Sequence, residues 1–330
     1  MDINDIVQAF VSLKDDINAN IDTPLYQNVF AKAELQNPWF TKQQCRCAVN
    51  SFTPWFERPL LNSLTKEYGI RGLKDKKILV ICAGNIPAVA FHDIVCVLLA
   101  GCKVAVKLSS SDSVIIPFLL QRLCCFCNEL QSRIELTDDK NRLKDLHFDA
   151  VTATGSNSSA LYFEKYFANV PHIIRKSRTS VAVLDNQTDI TGIEDDICLY
   201  FGLGCRNISC LFVPEDYDFT KIKQRLEKYS YYLDHHKYRN NYDYQQAVMI
   251  MNNIPFIQAG CMLLRQSTEI FSPVSVLNYI CYESKEHLHA MLKTQQDNLQ
   301  CTANAFGKMQ QPAFTQYADG VDTMRWLMNV

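Results

Sequence analysis

Cys205 stands behind Gly202 and Gly204 and just ahead of the strand-like run Cys210-Leu-Phe-Val-Pro214. The glycines of such a strand-proximal turn let a ligand approach the backbone closely, and a thiol placed there can attack an acyl carbon. Its own backbone N–H then helps to hold the resulting oxyanion. A cysteine in apolar surroundings is more often an inert small hydrophobe, so the loop alone leaves both readings open. The other polar residues at element ends have equally plain local readings. Asn85 forms a turn at a strand end, Lys107 ends a strand, and Gly155-Ser156 make a turn that feeds a helix.

The elements that must position these residues alternate. Lys77-Ile-Leu-Val-Ile-Cys82 reads as a buried strand running into Ala83-Gly-Asn-Ile-Pro87, followed by an apolar helix over 89–99 that Gly101 stops. Lys103-Val-Ala-Val-Lys107 is the next strand, and Ser109-Ser-Ser-Asp112 caps a helix over 114–130. The unit recurs as strand 149–153, turn Thr154-Gly-Ser-Asn157, helix 158–167 and strand 180–184. Strand–helix–strand alternation with short turns predicts an α/β fold with a doubly wound parallel sheet that binds ligand at the carboxyl ends of its strands. There is no GxGxxG, so a dinucleotide here would not use that fingerprint.

Ahead of this, residues 3–21 have the spacing of an amphipathic helix, and Asn37-Pro-Trp-Phe40 and Phe52-Thr-Pro-Trp-Phe56 read as turns with aromatic packing anchors. From Asp185 the sequence turns acidic, which places a lobe boundary between 185 and 186. Residues 1–185 form one lobe, with the 305–330 tail open to returning to it, and 186–304 the other. The second lobe should hold a helical region over 219–251, strands at 254–257 and 261–264, and a helix over 286–297. His235-His236 reads as a solvated loop or helix end, and Arg175, Lys176 and Arg178 as a solvated charge run.

At 330 residues, with 48% hydrophobic and 21% charged residues, the chain has the composition of a globular protein of about two lobes. A formal net charge of −2 gives no basic field for nucleic acid and no polybasic membrane patch. The most apolar window, 88–106, is interrupted by His92, Asp93 and Lys103, which argues against a membrane span. The acidic start is unlike a secretory signal, so a cytoplasmic location is expected. Of the 14 cysteines, Cys82, Cys96, Cys102, Cys198, Cys261 and Cys281 read as buried thiols. Neither Cys45-Arg-Cys47 nor Cys124-Cys-Phe-Cys127 has a second ligand pair at zinc-site spacing, so no metal is expected.

Taken in order, these segments resemble the aldehyde dehydrogenase superfamily from about Lys77 to Tyr279. Asn85-Ile-Pro87 is similar to its Asn-x-Pro motif and Leu99-Ala-Gly-Cys-Lys-Val-Ala-Val-Lys107 to its helix-to-strand segment ending in Lys. Thr154-Gly-Ser156 matches its Thr-Gly-Ser turn, Gly204-Cys205 its nucleophile loop, and Glu269-Ile-Phe271 with Pro273 its Glu-x-Phe-Gly-Pro motif. Ala83-Gly-Asn-Ile-Pro87 and Val106-Lys-Leu-Ser-Ser110 look most like the LuxC-type acyl-CoA reductases, as does the chain's short length. The resemblance implies a cofactor lobe over 1–185 and a catalytic lobe over 186–304. It also implies NADPH-dependent reduction of an acyl-CoA or acyl-carrier thioester to the aldehyde, with coenzyme A as leaving group. Cys205 would be the nucleophile and Asn85 the oxyanion donor. Lys107, Gly155, Ser156, Glu269 and Phe271 would contact the cofactor. A homo-oligomer or a partner enzyme of the same pathway is also expected.

The chain departs from the superfamily pattern in ways that carry chemistry. No acid lies between Val170 and Leu184, where aldehyde-oxidising members carry the Glu that activates water. Ser110 replaces the acid that usually follows the cofactor lysine, which permits a 2′-phosphate and leaves NADH as the alternative. Ser272 replaces a glycine. A cysteine-dependent acyltransferase or thioesterase without redox chemistry, and a non-catalytic subunit of the same fold, are the competing readings.

Overall fold

The computed structural model describes residues 1–139, 147–303 and 305–330. They form two compact units, one of residues 1–177 with 313–330 and the other of residues 178–312.

The first unit opens with four helices, α1 (Ile3–Asn20), α2 (Pro24–Gln36), α3 (Lys42–Ser51) and α4 (Arg58–Glu67). Asp2 starts α1 by accepting the N–H groups of Asn4 and Asp5, while the Asp5 carboxylate takes the Asp2 N–H, a reciprocal cap. The apolar stripe Ile6, Phe10, Leu13 and Ile17 is fully buried, and Phe40, Trp55 and Phe56 join the same core as packing anchors. Then come β1 (Lys77–Ile81), α5 (Phe91–Leu99), β2 (Lys103–Lys107), α6 (Ile115–Phe126), β3 (Ile134–Thr137), β4 (Ala150–Thr154), α7 (Asn157–Tyr166) and β5 (His172–Arg175). Their five strands are all parallel in the order β3-β2-β1-β4-β5. The chain leaves β1 toward β2 on one side and returns through β4 on the other. The strand order reverses between β1 and β4, and such sheets take ligands in the crevice at the carboxyl ends of that switch point.

The second unit contains β6 (Thr179–Val183), α8 (Ile193–Cys198), β7 (Ile208–Pro214), α9 (Thr220–Leu226), α10 (His236–Met251), β8 (Ile257–Ala259), β9 (Met262–Gln266), β10 (Val276–Tyr282), α11 (Lys285–Thr294) and β11 (Leu299–Ala303). Its six-stranded sheet runs β11-β6-β7-β10-β9-β8, parallel except for the β8–β9 hairpin. The unit begins at Arg178 because β6 pairs with β7 and β11, although the acidic composition that suggested a boundary at 185/186 starts only after that strand. Position 304 lies outside the described residues. The 313–330 segment packs Phe314, Tyr317, Met324 and Leu327 into the core of the first unit and ends in α12 (Thr323–Met328).

One expectation is corrected. Arg175, Lys176 and Arg178 are not a solvated run. Arg175 is buried, ion-paired with Asp93 of α5, and donates to Thr323 Oγ1 at 3.0 Å, which fastens the C-terminal segment. Arg178 donates to the Leu299 carbonyl at 2.9 Å, and only Lys176 is exposed, paired with Glu164.

Candidate active site

In the first unit the carboxyl ends of the parallel strands bring three loops to one edge. The loop after β1 carries Asn85, which is exposed. Gly84 in that loop lies against the Ser109–Ser111 segment so tightly that a Cβ would collide with Ser109 and meet the Ser111 Cβ at 2.9 Å. Ala88 holds a left-handed φ of 53°, and its N–H is accepted by Asp112 Oδ2 at 2.6 Å. The Asn85 turn is therefore set from both sides by the loop that follows β2. Sequence reasoning read Asp112 only as a helix cap.

Lys107 ends β2, opposite Ile81, and is 8% exposed. Its ammonium donates to the Leu108 carbonyl. Ser110 is exposed, and its carbonyl accepts from Gln36 Nε2 at 2.8 Å. After β4, Ser156 Oγ caps α7 by accepting the Ser159 N–H at 3.2 Å. Gly155 is required locally, because a Cβ there would lie 2.8 Å from the Ser159 Cβ.

The Cys205 loop belongs to the second unit and is built on strain. Tyr200 (φ 55°, ψ 30°), Phe201 (φ 57°, ψ 23°) and Gly202 (φ 74°) are three successive left-handed residues. A non-glycine residue pays about 1–2 kcal/mol for that conformation, so the surroundings must enforce it. Phe201 is buried with its ring centroid 4.3 Å from Tyr232, 4.8 Å from His235 and 5.7 Å from Tyr238. His235, expected in a solvated loop or helix end, caps α10 through Nδ1 and also packs on this ring.

Cys205 follows in a turn closed by the Asn207 N–H on the Gly204 carbonyl at 3.0 Å. The side chain of Asn207, 1% exposed, fixes that turn. Its oxygen accepts the Gly204 N–H at 2.8 Å, and its amide nitrogen donates to the carbonyls of Asp196 (3.1 Å), Ile197 (3.3 Å) and Leu199 (2.9 Å). These are orphan carbonyls at the end of α8, satisfied by the residue that shapes the cysteine turn. Ser180 Oγ donates to the Cys205 carbonyl at 2.9 Å. Cys205 itself is half-buried, whereas burial pushes the Cys210 thiol up to about 12 and Cys82 higher still. Of the thiols expected to be buried, only Cys281 is partly exposed.

Glu269 and Phe271, both exposed, flank buried Ile270 in the loop before β10. Asn278 of β10 donates from Nδ2 to the carbonyls of Glu269 and Phe271, each at 2.9 Å. Ser209, the second residue of β7, donates to the Ile270 carbonyl at 2.6 Å. The strand that leaves the cysteine turn therefore also holds the Glu269–Phe271 loop. Asn207, Asn278 and Ser209 escaped sequence reasoning, because a single amide or hydroxyl beside apolar residues gives no spacing signal. Among the described residues no group of three or more His, Cys, Asp or Glu side chains is arranged to hold a metal. No helix among them is long and apolar enough to cross a membrane.

The fold is that of the aldehyde dehydrogenases. Mycobacterium tuberculosis aldehyde dehydrogenase, solved in complex with NAD+, is similar at TM-score 0.63 and 14% identity, covering 88% of this chain and 69% of that one. A Bacillus cereus aldehyde dehydrogenase gives TM-score 0.65 and 13% identity over 91% of this chain and 70% of that one. An NAD-dependent aldehyde dehydrogenase from Sinorhizobium meliloti gives 0.63 and 12% over 94% and 72%. No curated protein matches in sequence. The family model described as acyl-CoA reductase (LuxC) matches residues 69–292, and the chain belongs to that family. It is accordingly an oxidoreductase acting on aldehydes or acyl-CoA.

Proposed function

We propose that this chain reduces an acyl-CoA or acyl-carrier thioester to the aldehyde with NADPH, through a thioacyl enzyme at Cys205. The observation that carries the reading is a half-buried cysteine in a turn fixed by Asn207 and Ser180, within a chain of the acyl-CoA reductase family. The Cys205 thiolate attacks the thioester carbon. A bond forms from its Sγ to that carbon, the carbon–sulfur bond to coenzyme A breaks, and coenzyme A leaves as the thiol after taking a proton. Asn85 donates to the oxyanion as it develops.

The donor set suits a nicotinamide dinucleotide. An ammonium at a strand end with no carboxylate at Ser110 can pair a phosphate, and an exposed carboxylate at Glu269 can accept two ribose hydroxyls. Lys107 is accordingly assigned the 2′ end of the adenine ribose, and Glu269 and Phe271 the nicotinamide ribose. Gly155 and Ser156 are assigned the phosphate side of the crevice. When bound, the reduced cofactor supplies a hydride to the thioacyl carbon. The Cys205–carbon bond then breaks, which frees the aldehyde and regenerates the thiolate. On this reading the first unit carries the cofactor and the second the nucleophile.

Mass spectrometry after mixing with acyl-CoA and no cofactor tests the assignment. Wild type should gain one acyl group on Cys205, and Cys205→Ala should gain none while retaining NADPH binding. Acylation persisting at Cys210 or Cys261 in the variant would overturn it, as would a wild-type protein that takes no acyl group.

A further inference from the structure

Asn278 is fully buried in β10, between Cys210 on β7 and Arg265 on β9. A primary amide buried inside a sheet must have its donors and acceptor matched, or its burial is costly. Every one of these groups is matched, and both donors go to one loop. The two Nδ2 hydrogens go to the carbonyls of residues 269 and 271, each at 2.9 Å, while Oδ1 accepts from Arg265 Nε at 2.9 Å. Because Arg265 can only donate, it fixes which amide atom is oxygen and so aims both N–H groups at the loop. The carbonyl between them, that of Ile270, is taken by Ser209 at 2.6 Å. Three consecutive carbonyls are thus held from two neighbouring strands. Glu269 and Phe271 are left exposed and Ile270 buried between them.

We propose that Asn278, oriented by Arg265, is the positioning residue for the cofactor-facing Glu269–Phe271 loop, acting on cofactor binding and not on acylation. This rests on the reading that Glu269 takes the nicotinamide ribose. Two hydrogen bonds set the backbone at Glu269 itself and at Phe271 two residues on, and a ribose diol held by one carboxylate tolerates little displacement. The cysteine turn has separate supports in Asn207 and Ser180, so the two half-reactions separate on mutation.

The experiment compares Asn278→Ala, Arg265→Met and Glu269→Gln by two readouts: NADPH affinity from fluorescence titration, and the rate of acylation by acyl-CoA without cofactor. Asn278→Ala should weaken NADPH binding about tenfold or more, with acylation within about twofold of wild type. Arg265→Met, which removes a half-exposed side chain and keeps the sheet, should weaken binding in the same direction by about threefold. If Glu269→Gln weakens NADPH binding but the other two do not, the positioning inference fails and the ribose assignment stands. If Glu269→Gln leaves binding unchanged, the ribose assignment fails and takes the inference with it. Acylation falling in parallel with binding in Arg265→Met would show a merely structural role. Should Asn278→Ala not fold, Arg265→Met decides alone.

Discussion

Asp112 holds the Ala88 N–H that shapes the Asn85 turn, yet burial pushes its own carboxyl up to about 6 against that hydrogen bond. An acid whose titration lies higher in the fold than its ordinary 3.8 binds its proton more tightly folded than unfolded. Its contribution to stability is therefore favourable at low pH, declines as pH climbs from about 4 to about 6, and is constant above that. At about 1.4 kcal/mol per unit the swing is about 3 kcal/mol. Asp112→Asn keeps an oxygen for Ala88 and removes the titration. The melting temperature of the variant minus that of wild type should thus be larger at pH 8 than at pH 4.5, by several degrees. Equal differences at the two values would mean that Asp112 titrates normally. Arg175 is buried for a reason its neighbours in sequence do not reveal. Its charge and two cationic neighbours read as surface, because sequence cannot show that Asp93, 82 positions earlier, faces it in the core.

The strand–helix alternation from β1 to β4 was legible because two-sided burial writes continuous apolar runs bounded by glycine and serine. Strands β3, β5 and β11 escaped at sheet edges, where burial is partial and the pattern is diluted, and so did interior β10, whose last four residues are only partly buried. The helices α2 to α4 were hidden behind the aromatic turns that separate them. Least legible was the left-handed run ahead of Cys205, because Tyr200 and Phe201 carry no sequence mark of positive φ, as glycine would. That element depends on Asn207. Asn207→Ala would strand the Gly204 N–H and the carbonyls of Ile197 and Leu199, at about 1–3 kcal/mol for each buried group left unpaired, while the Asp196 carbonyl keeps Gln310. Unfolding by urea should show a loss of about 3 kcal/mol or more. Acylation of Cys205 should slow at least tenfold while NADPH affinity holds, the mirror of the Asn278 pattern. Unchanged acylation would mean that the cysteine turn forms without its amide anchor.

For the whole molecule, the proposed mechanism turns on the fate of the thioacyl enzyme it forms. Three routes can discharge it: hydride arrival, return to a thiol, or attack by water. Water attack needs a base near the thioester, and the 170–184 segment supplies none. Arg175, the charged residue at the end of β5, is buried and committed to Asp93 and Thr323, so it does not substitute for an acid. With aldehyde, NADP+ and no coenzyme A, the protein should form almost no free acid, and adding coenzyme A should restore turnover as acyl-CoA. Rapid acid release without coenzyme A would reveal a base elsewhere in the chain and make this an ordinary aldehyde-oxidising enzyme. The cofactor preference belongs to the same chemistry and is separately testable. Ser110 is exposed and its carbonyl, not its side chain, is held by Gln36, so Ser110→Glu should fold. Its carboxylate would repel a 2′-phosphate paired with Lys107 and could accept ribose hydroxyls instead. The ratio of kcat/KM for NADPH over NADH should fall about tenfold or more in that variant, as a lost charge-assisted contact requires. No change in the ratio would place the 2′ end away from Lys107, leaving the thioacyl argument untouched because the two rest on different residues.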